Sequence, residues 1–182
     1  KQYCVEYPEL GYVSQSDVLN YLKTCTDAMG GTFQAAYALM YQRQLYDITY
    51  SEDKYDASFE TYIPNYYVPF IFINPSGSEY DKLTLAHEFG HFCSDYLSFG
   101  SGASVDVSEI FSQGMEYLSL CYTDEGKNLT RAKMADSLCV YVEQAAYAAF
   151  EQQLYRMDAE ALTPENITAL YGQVGADFGF DN

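Results

Sequence analysis

The chain has only two histidines, and their spacing constrains the fold more than any other feature. His87 and His91 lie four residues apart with Glu88 beside the first. Residues four apart share one face of a helix, so both imidazoles can reach one metal ion. Catalytic zinc keeps three protein ligands and an open water position, and a neighbouring carboxylate can take a proton from that water. The motif therefore predicts a helix that carries a zinc site, with Glu88 as the general base; the alternative is two histidines on an exposed helix face.

The third ligand has to be a carboxylate, because no other histidine exists and the cysteines are badly placed. Asp95 lies one helical turn after His91 and is predicted to be a surface group or a partner that orients a ligand. Glu109 lies in a later helical segment, after a glycine-rich turn that can bring it back across the metal, and it is our predicted third ligand. Glu116, two turns further on, suits a role in orienting a histidine. Asp106 is the remaining candidate.

Composition and charge narrow the classes of protein. The 182 residues are 48% hydrophobic, which is enough to bury the core of one domain spanning residues 1–182. The net charge of −17 repels phosphate backbones and anionic lipids, so we expect neither a nucleic-acid nor a membrane partner. The chain begins without an initiator Met, which suggests a piece of a longer protein.

The five cysteines are scattered and odd in number, which disfavours a disulfide framework. Reduced thiols are typical of the cytoplasm, so a cytoplasmic location is predicted. The two sequons, at Asn128 and Asn166, are short patterns that occur by chance and change this prediction little.

The hydrophobic pattern predicts a mainly α protein with a small sheet. Helices are predicted over residues 18–29, 32–45, 81–97, 104–121, 129–157 and 164–178, with Ser16-Asp17 capping the first. Two short strands are predicted at 58–63 and 67–73, around Pro64-Asn65. Pro69 cannot donate to a ladder, so its strand should be an edge, or that position should face away from its neighbour. Gly90 disfavours a helix and so indicates a close packing contact there.

Four stretches of the sequence resemble one family. Residues 84–91 match its zinc helix, and residues 108–116 resemble its second metal segment, in which the first Glu is the ligand. Residues 59–72 resemble the strand pair that flanks its cleft, and residues 147–151 and 162–171 resemble the helices that follow. The family is that of thimet oligopeptidase and oligoendopeptidase F, and the likeness is greatest to the bacterial oligoendopeptidase F branch.

The resemblance implies a zincin-like, mainly helical catalytic domain with a small β-sheet beside the active-site helix. It implies one zinc ion per chain, held by His87, His91 and Glu109, and short peptides as substrates. A strand beside the cleft is expected to bind substrate backbone by β-addition, and this strand is predicted to consist of Phe70, Ile71, Phe72, Ile73 and Asn74.

The family also has a Tyr-rich segment whose side chains stabilise the oxyanion, and this chain ends before any such segment. The remaining segments of a longer polypeptide are therefore expected partners, and the isolated chain is expected to be weakly active or inactive. Two other functions remain open. One is a peptide-binding module without catalysis, and the other is a zinc carboxypeptidase that shares the same helix motif.

Overall fold

A computed structural model describes residues 8–101, 104–123 and 127–180, without the side chains of 105 and 106. The fold is mainly α with a small sheet, as predicted, and the sheet has a third strand besides the two predicted ones. The elements are α1 (Gln15–Met29), α2 (Gly31–Gln42), β1 (Tyr46–Asp47), β2 (Ser58–Ile63), β3 (Val68–Ile73), α3 (Asp81–Ser98), α4 (Val105–Tyr122), α5 (Lys127–Leu154), a 3₁₀ turn (Ala159–Ala161) and α6 (Pro164–Phe178). The chain divides into two compact units, residues 9–130 and residues 1–8 with 131–182. One domain over residues 1–182 stays a prediction.

The unit of residues 9–130 is built around α3. The buried side of this helix includes Leu85, Phe89 and Phe92, each fully buried, and these pack with Ile71 and Ile73 in one apolar cluster. Burial of large apolar side chains contributes about 1.5–3 kcal/mol each. The opposite side of α3 is therefore fixed in place by this core.

The start of α1 differs from the prediction. Ser14 is the N-cap: its side chain accepts a hydrogen bond from the Asp17 backbone, and the Asp17 side chain accepts one from the Ser14 backbone. This reciprocal capping box satisfies two N–H groups that the first turn would otherwise leave unpaired. The helix therefore begins at Gln15, and Ser16-Asp17 lie inside it.

The sheet order is β1-β3-β2, so β3 is the central strand and the prediction that it is an edge is wrong. It pairs with β1 in parallel and with β2 in antiparallel register. The Ile71 N–H donates to the Leu45 carbonyl at 3.1 Å, on the β1 side. Pro69 lies two residues earlier and so faces that same side, beyond the two residues of β1. The missing N–H of Pro69 therefore removes no hydrogen bond from the ladder between β2 and β3. This is the second of the two predicted arrangements, in which the proline faces away from its neighbouring strand.

Two further expectations concern the thiols and the membrane. Cys25, Cys93, Cys121 and Cys139 are free, and Cys4 lies outside the described residues. Within the described ranges, no helix combines the length and the apolar character that crossing a membrane requires.

Candidate metal centre

The α3 helix presents both histidines on one side, next to a cleft. The ring centroids of His87 and His91 lie 5.0 Å apart. Their side chains are 23% and 16% exposed, so each ring is held by the helix packing and keeps an open edge. The helix motif thus places two imidazole nitrogens side by side.

The α4 helix brings Glu109 against these two nitrogens. Its carboxylate lies 3.4 Å from Nε2 of His87 and 3.5 Å from Nε2 of His91. The Ser112 hydroxyl, which is fully buried, donates to Glu109 Oε2 at 2.8 Å and fixes the carboxylate. The predicted ligand set therefore converges on one point of the structure.

Gly90 permits this convergence. A Cβ atom at Gly90 would lie 2.6 Å from the Ser112 Cα and 2.7 Å from the Phe111 carbonyl oxygen. Real Cβ atoms essentially never approach backbone atoms so closely. The contact predicted from the helix-breaking tendency of Gly90 is therefore with the backbone of α4, one turn from Glu109.

The three side chains fit a zinc ion. Their ligand atoms lie within 4.8 Å of one another. A tetrahedral ion with bonds of about 2.0–2.1 Å separates two ligand atoms by roughly 3.3 Å, and both histidine-to-glutamate separations are close to that value. Two neutral imidazole nitrogens and one carboxylate are a donor set typical of catalytic zinc. No other group of three or more such side chains lies close enough for a metal ion in the part of the chain that the structure describes.

Glu116 lies behind His87, where the sequence places an orienting carboxylate. Its Oε1 is 2.8 Å from His87 Nδ1, and the residue is only 4% exposed. Because a carboxylate only accepts, Nδ1 carries the proton and Nε2 is left free as a ligand atom. Burial lowers the pKa of His87, but the hydrogen bond and charge of Glu116, with further carboxylates nearby, outweigh it and raise the pKa above its usual value.

Glu88 is buried to 6% exposure at the edge of the cleft. Its carboxylate accepts a hydrogen bond from the Glu60 backbone on β2. Burial raises the pKa of Glu88 to about 7, against the lowering effect of His87. A carboxylate with a pKa near neutrality can both take up and release a proton at ordinary pH.

The cleft beside these residues has a volume of about 430 Å³, within the usual range for ligand sites. One wall is formed by Ser58, Phe59 and Glu60 of β2, and the floor is formed by α3 and α4. Asp95 lines the cleft one turn after His91 and makes no contact with the predicted ligands close enough to be an ion pair or hydrogen bond. The side chain of Asp106 lies outside the described part of the structure.

The free edge beside the cleft belongs to β2, not to β3. The Ile71 N–H points to β1, so the backbone N–H and C=O groups of the residues on either side of it, Phe70 and Phe72, point to β2. Phe70 pairs with Thr61, and Phe72 pairs with Phe59. The backbone groups of Ser58, Glu60 and Tyr62 then point away from the ladder, and the Glu60 contact with Glu88 agrees with this direction.

The prediction that β3 binds a peptide backbone is therefore wrong over the paired positions. Its partner strands occupy both sides at Ile71 and Phe72, and β2 pairs with every residue of β3 from Val68 to Ile73. Asn74 lies beyond this ladder, and its side chain is hydrogen-bonded to the backbone of Ser51.

Sequence reasoning missed Glu60 and Ser112. A strand period of two places Ser58, Glu60 and Tyr62 on one face, so a charged residue in the middle of a predicted strand was the available signal for Glu60. Ser112 carried no signal in the sequence, because its role depends on the closeness of α3 and α4.

Comparisons with known proteins bear on this fold. No protein-family model matches the sequence, and no curated protein matches it closely. Among solved structures, a protein assigned as an oligoendopeptidase F from Bacillus anthracis superposes with a TM-score of 0.77 at 21% identity, covering 93% of this chain and 33% of that one. PZ peptidase A with an inhibitor gives a TM-score of 0.80 at 21% identity, covering 95% of this chain and 32% of that one.

These likenesses define the class of fold. This chain has the mainly helical fold of the matched parts of these two structures, with a small sheet beside the helix that carries the histidines. The predicted resemblance to oligoendopeptidase F is thereby confirmed for the fold, and this chain spans about a third of the length of either structure.

Proposed function

We propose that this chain carries the metal centre and general base of a zinc-dependent oligopeptidase that hydrolyses short peptides. The observation that supports this most strongly is the convergence of His87, His91 and Glu109, with Glu88 beside them at the cleft. The peptidase structures that share the fold add support from outside the chain.

Zinc, when bound, supplies a Lewis acid that lowers the pKa of water and polarises a peptide carbonyl. Glu88, which lines the cleft beside the three predicted ligands, takes a proton from the attacking water and hands it to the leaving amine. The hydrogen bond from the Glu60 backbone holds the Glu88 carboxylate in position. Glu116 holds the ring of His87, so that Nε2 stays directed at the ion.

The peptide substrate lies along the free edge of β2. Backbone groups of Ser58 and Tyr62 face away from the ladder, while the Glu60 N–H is bonded to Glu88, and an extended peptide can pair with the remaining groups of this edge by β-addition. This replaces the predicted site on β3. It places the scissile bond between β2 and the histidines of α3.

The rest of a longer polypeptide remains a proposed partner, because the chain spans about a third of the peptidase structures that it resembles. Oxyanion-stabilising tyrosines are proposed to come from there. A cytoplasmic location remains our expectation, and the four described free thiols support it.

The cleft favours internal cleavage over carboxypeptidase activity. A carboxypeptidase has to bind the terminal carboxylate of its substrate, which calls for a cationic side chain. The described residues that line the cleft include no Lys or Arg, and they include several carboxylates. End-group analysis of the cleaved peptides distinguishes the two activities.

The test combines metal analysis with Glu88→Ala. The wild type should bind about one zinc ion per chain, and the variant should keep it, because Glu88 is not a ligand. Peptide hydrolysis by the longest polypeptide that contains this chain, measured with an internally quenched peptide, should fall by about 10²–10⁴ in the variant. Glu151→Ala, an exposed position on α5, is the matched control and should change neither value.

A protein that binds no zinc after mild purification contradicts the proposal. Zinc binding together with peptide affinity but no hydrolysis, in the longest polypeptide that contains this chain, would identify a non-catalytic peptide-binding module instead.

A further inference from the structure

One side chain in the cleft has a polar atom that no protein group satisfies. Glu60 projects from β2 towards the interior, on the face shared with its cross-strand partner Ile71. Its Oε1 atom is buried and accepts no hydrogen bond from the described part of the chain. Buried acceptors in folded proteins are nearly always paired, so each exception requires a reason.

The groups around Glu60 make an unpaired, buried carboxyl oxygen at this place energetically unfavourable. Its charged neighbours are Asp95 on α3 and Glu88, both carboxylates that repel a negative charge. The described lining of the cleft has no Lys or Arg that could neutralise them. Burial, with these two neighbours, raises the pKa of Glu60 to about 8, which reflects the missing counter-charge.

A cation that enters the cleft would offset the negative charge of Glu60 and Asp95, which both line it. We propose that Glu60 and Asp95 form a subsite that binds a Lys or Arg side chain of the peptide substrate, next to the scissile bond. This inference rests on the proposed peptidase function. Glu60 is then a specificity-determining residue, which contacts the substrate but takes no part in the proton transfers.

The geometry explains why a side chain, rather than a peptide terminus, is the ligand. The Glu60 backbone holds the general base, so its side chain lies within one residue of the place where the bond is cleaved. An extended peptide along β2 presents a side chain to each wall of the cleft at alternate positions. An ammonium or guanidinium group has several donors and can bond to both carboxylates at once. The net charge of −17 adds a long-range attraction for cationic peptides.

The test uses the longest polypeptide that contains this chain, loaded with zinc, and two internally quenched peptides with blocked ends. The peptides differ at one position flanking the cleaved bond, which is Lys in one and Gln in the other, and the position is moved along the peptide. At one position we expect kcat/KM for the Lys peptide to exceed that for the Gln peptide by about 10-fold or more. This comparison needs no variant, so it does not depend on how a substitution affects folding.

Variants then assign the preference to residues. Glu60→Gln should bring the Lys-to-Gln ratio close to 1, and Asp95→Asn should lower it in part. Glu52→Gln, at an exposed loop position, is the matched control and should leave the ratio unchanged.

The outcomes separate this inference from the function on which it rests. Equal cleavage of both peptides at every position overturns the subsite and leaves the peptidase function standing. A preference that Glu60→Gln leaves intact, or one that appears only when the peptide amine is unblocked, also overturns it. Cleavage of neither peptide counts against the proposed function itself.

Discussion

Two halves of the same cleft use carboxylates in opposite ways. The helix half consists of His87, His91, Glu109 and Glu116, and each of its carboxylates lies within 3.5 Å of an imidazole nitrogen. The strand half consists of Glu60 and Asp95, and neither forms an ion pair among the described residues. Both halves belong to the same unit of the chain.

The difference shows that position relative to the histidines decides what a carboxylate can do. In the helix half, Glu116 fixes the tautomer of His87 and raises the pKa of that imidazole, so the Glu116 carboxylate already has its partner within the protein. In the strand half, burial raises the pKa of both Glu60 and Asp95, and the opposing effect of His91 on Asp95 is smaller than the desolvation. The helix half is organised for a metal ion and the strand half for a cation that arrives with the substrate.

The largest effect is expected from Gly90→Ala, which displaces the helix half of the cleft and leaves the residues of the strand half unchanged. The added methyl group would lie 2.6 Å from the Ser112 Cα, so α4 has to move away and carry Glu109 with it. Overpacking of this kind costs about 1–3 kcal/mol of stability. Zinc affinity, measured by competition with a chromogenic chelator, should fall by more than the loss of stability explains.

Gly114→Ala is the matched control on α4. A Cβ atom there has no neighbour within 4 Å. Alanine favours a helix over glycine by about 1 kcal/mol, so this variant should be as stable as the wild type or more stable, with unchanged zinc affinity. Equal zinc affinity in both variants would show that the spacing of α3 and α4 does not control the metal site.

A smaller effect is expected from Glu116→Gln, which keeps the shape of the helix half and removes one charge. Loss of a carboxylate that orients a metal-binding histidine typically costs 10–100-fold in metal affinity. Zinc titration of the variant should show a loss of about that size with Glu109 still in place. Unchanged affinity would mean that the 2.8 Å contact with His87 is structural only.

The last prediction concerns the strand half and the stability of the metal-free protein. The pKa of Glu60 is about 8 in the folded chain against an ordinary value of 4.5. Between those values the folded state holds a proton that the unfolded state has released, so stability falls as the pH rises from 4.5 through 8. Below pH 4.5 both states are protonated and the effect vanishes.

Glu60→Gln cannot titrate, so it should lose less stability than the wild type over this range. The measurement is the difference in thermal midpoint between the two proteins at pH 5 and at pH 8, in the presence of a chelator. Parallel curves would contradict the account of an unneutralised carboxyl group beside Asp95 and Glu88.

The two halves also differ in how far the sequence predicts them. The spacing of His87 and His91 predicts the α3 site directly, because an interval of four residues is a local property of a helix. Gly90 and Glu109 were identified from their place in helical segments, and the structure brings them together across the α3–α4 contact.

The strand half was harder to predict from the sequence, because the order of strands in a sheet depends on segments that lie far apart in the chain. The two residues of β1, Tyr46 and Asp47, lie between the helix predicted over 32–45 and the strand predicted at 58–63, yet they cover one side of β3. That pairing moves the free edge to β2 and gives Glu60 its place in the cleft. No local pattern around Pro69 distinguishes an edge strand from a central strand that is only half covered.

The most direct test of the account is anomalous diffraction from crystals of the zinc-loaded protein, recorded at the zinc absorption edge. The account predicts one strong peak per chain, about 2.0–2.2 Å from Nε2 of His87, Nε2 of His91 and a carboxylate oxygen of Glu109. A peak elsewhere, or coordination by the histidines without Glu109, would contradict it.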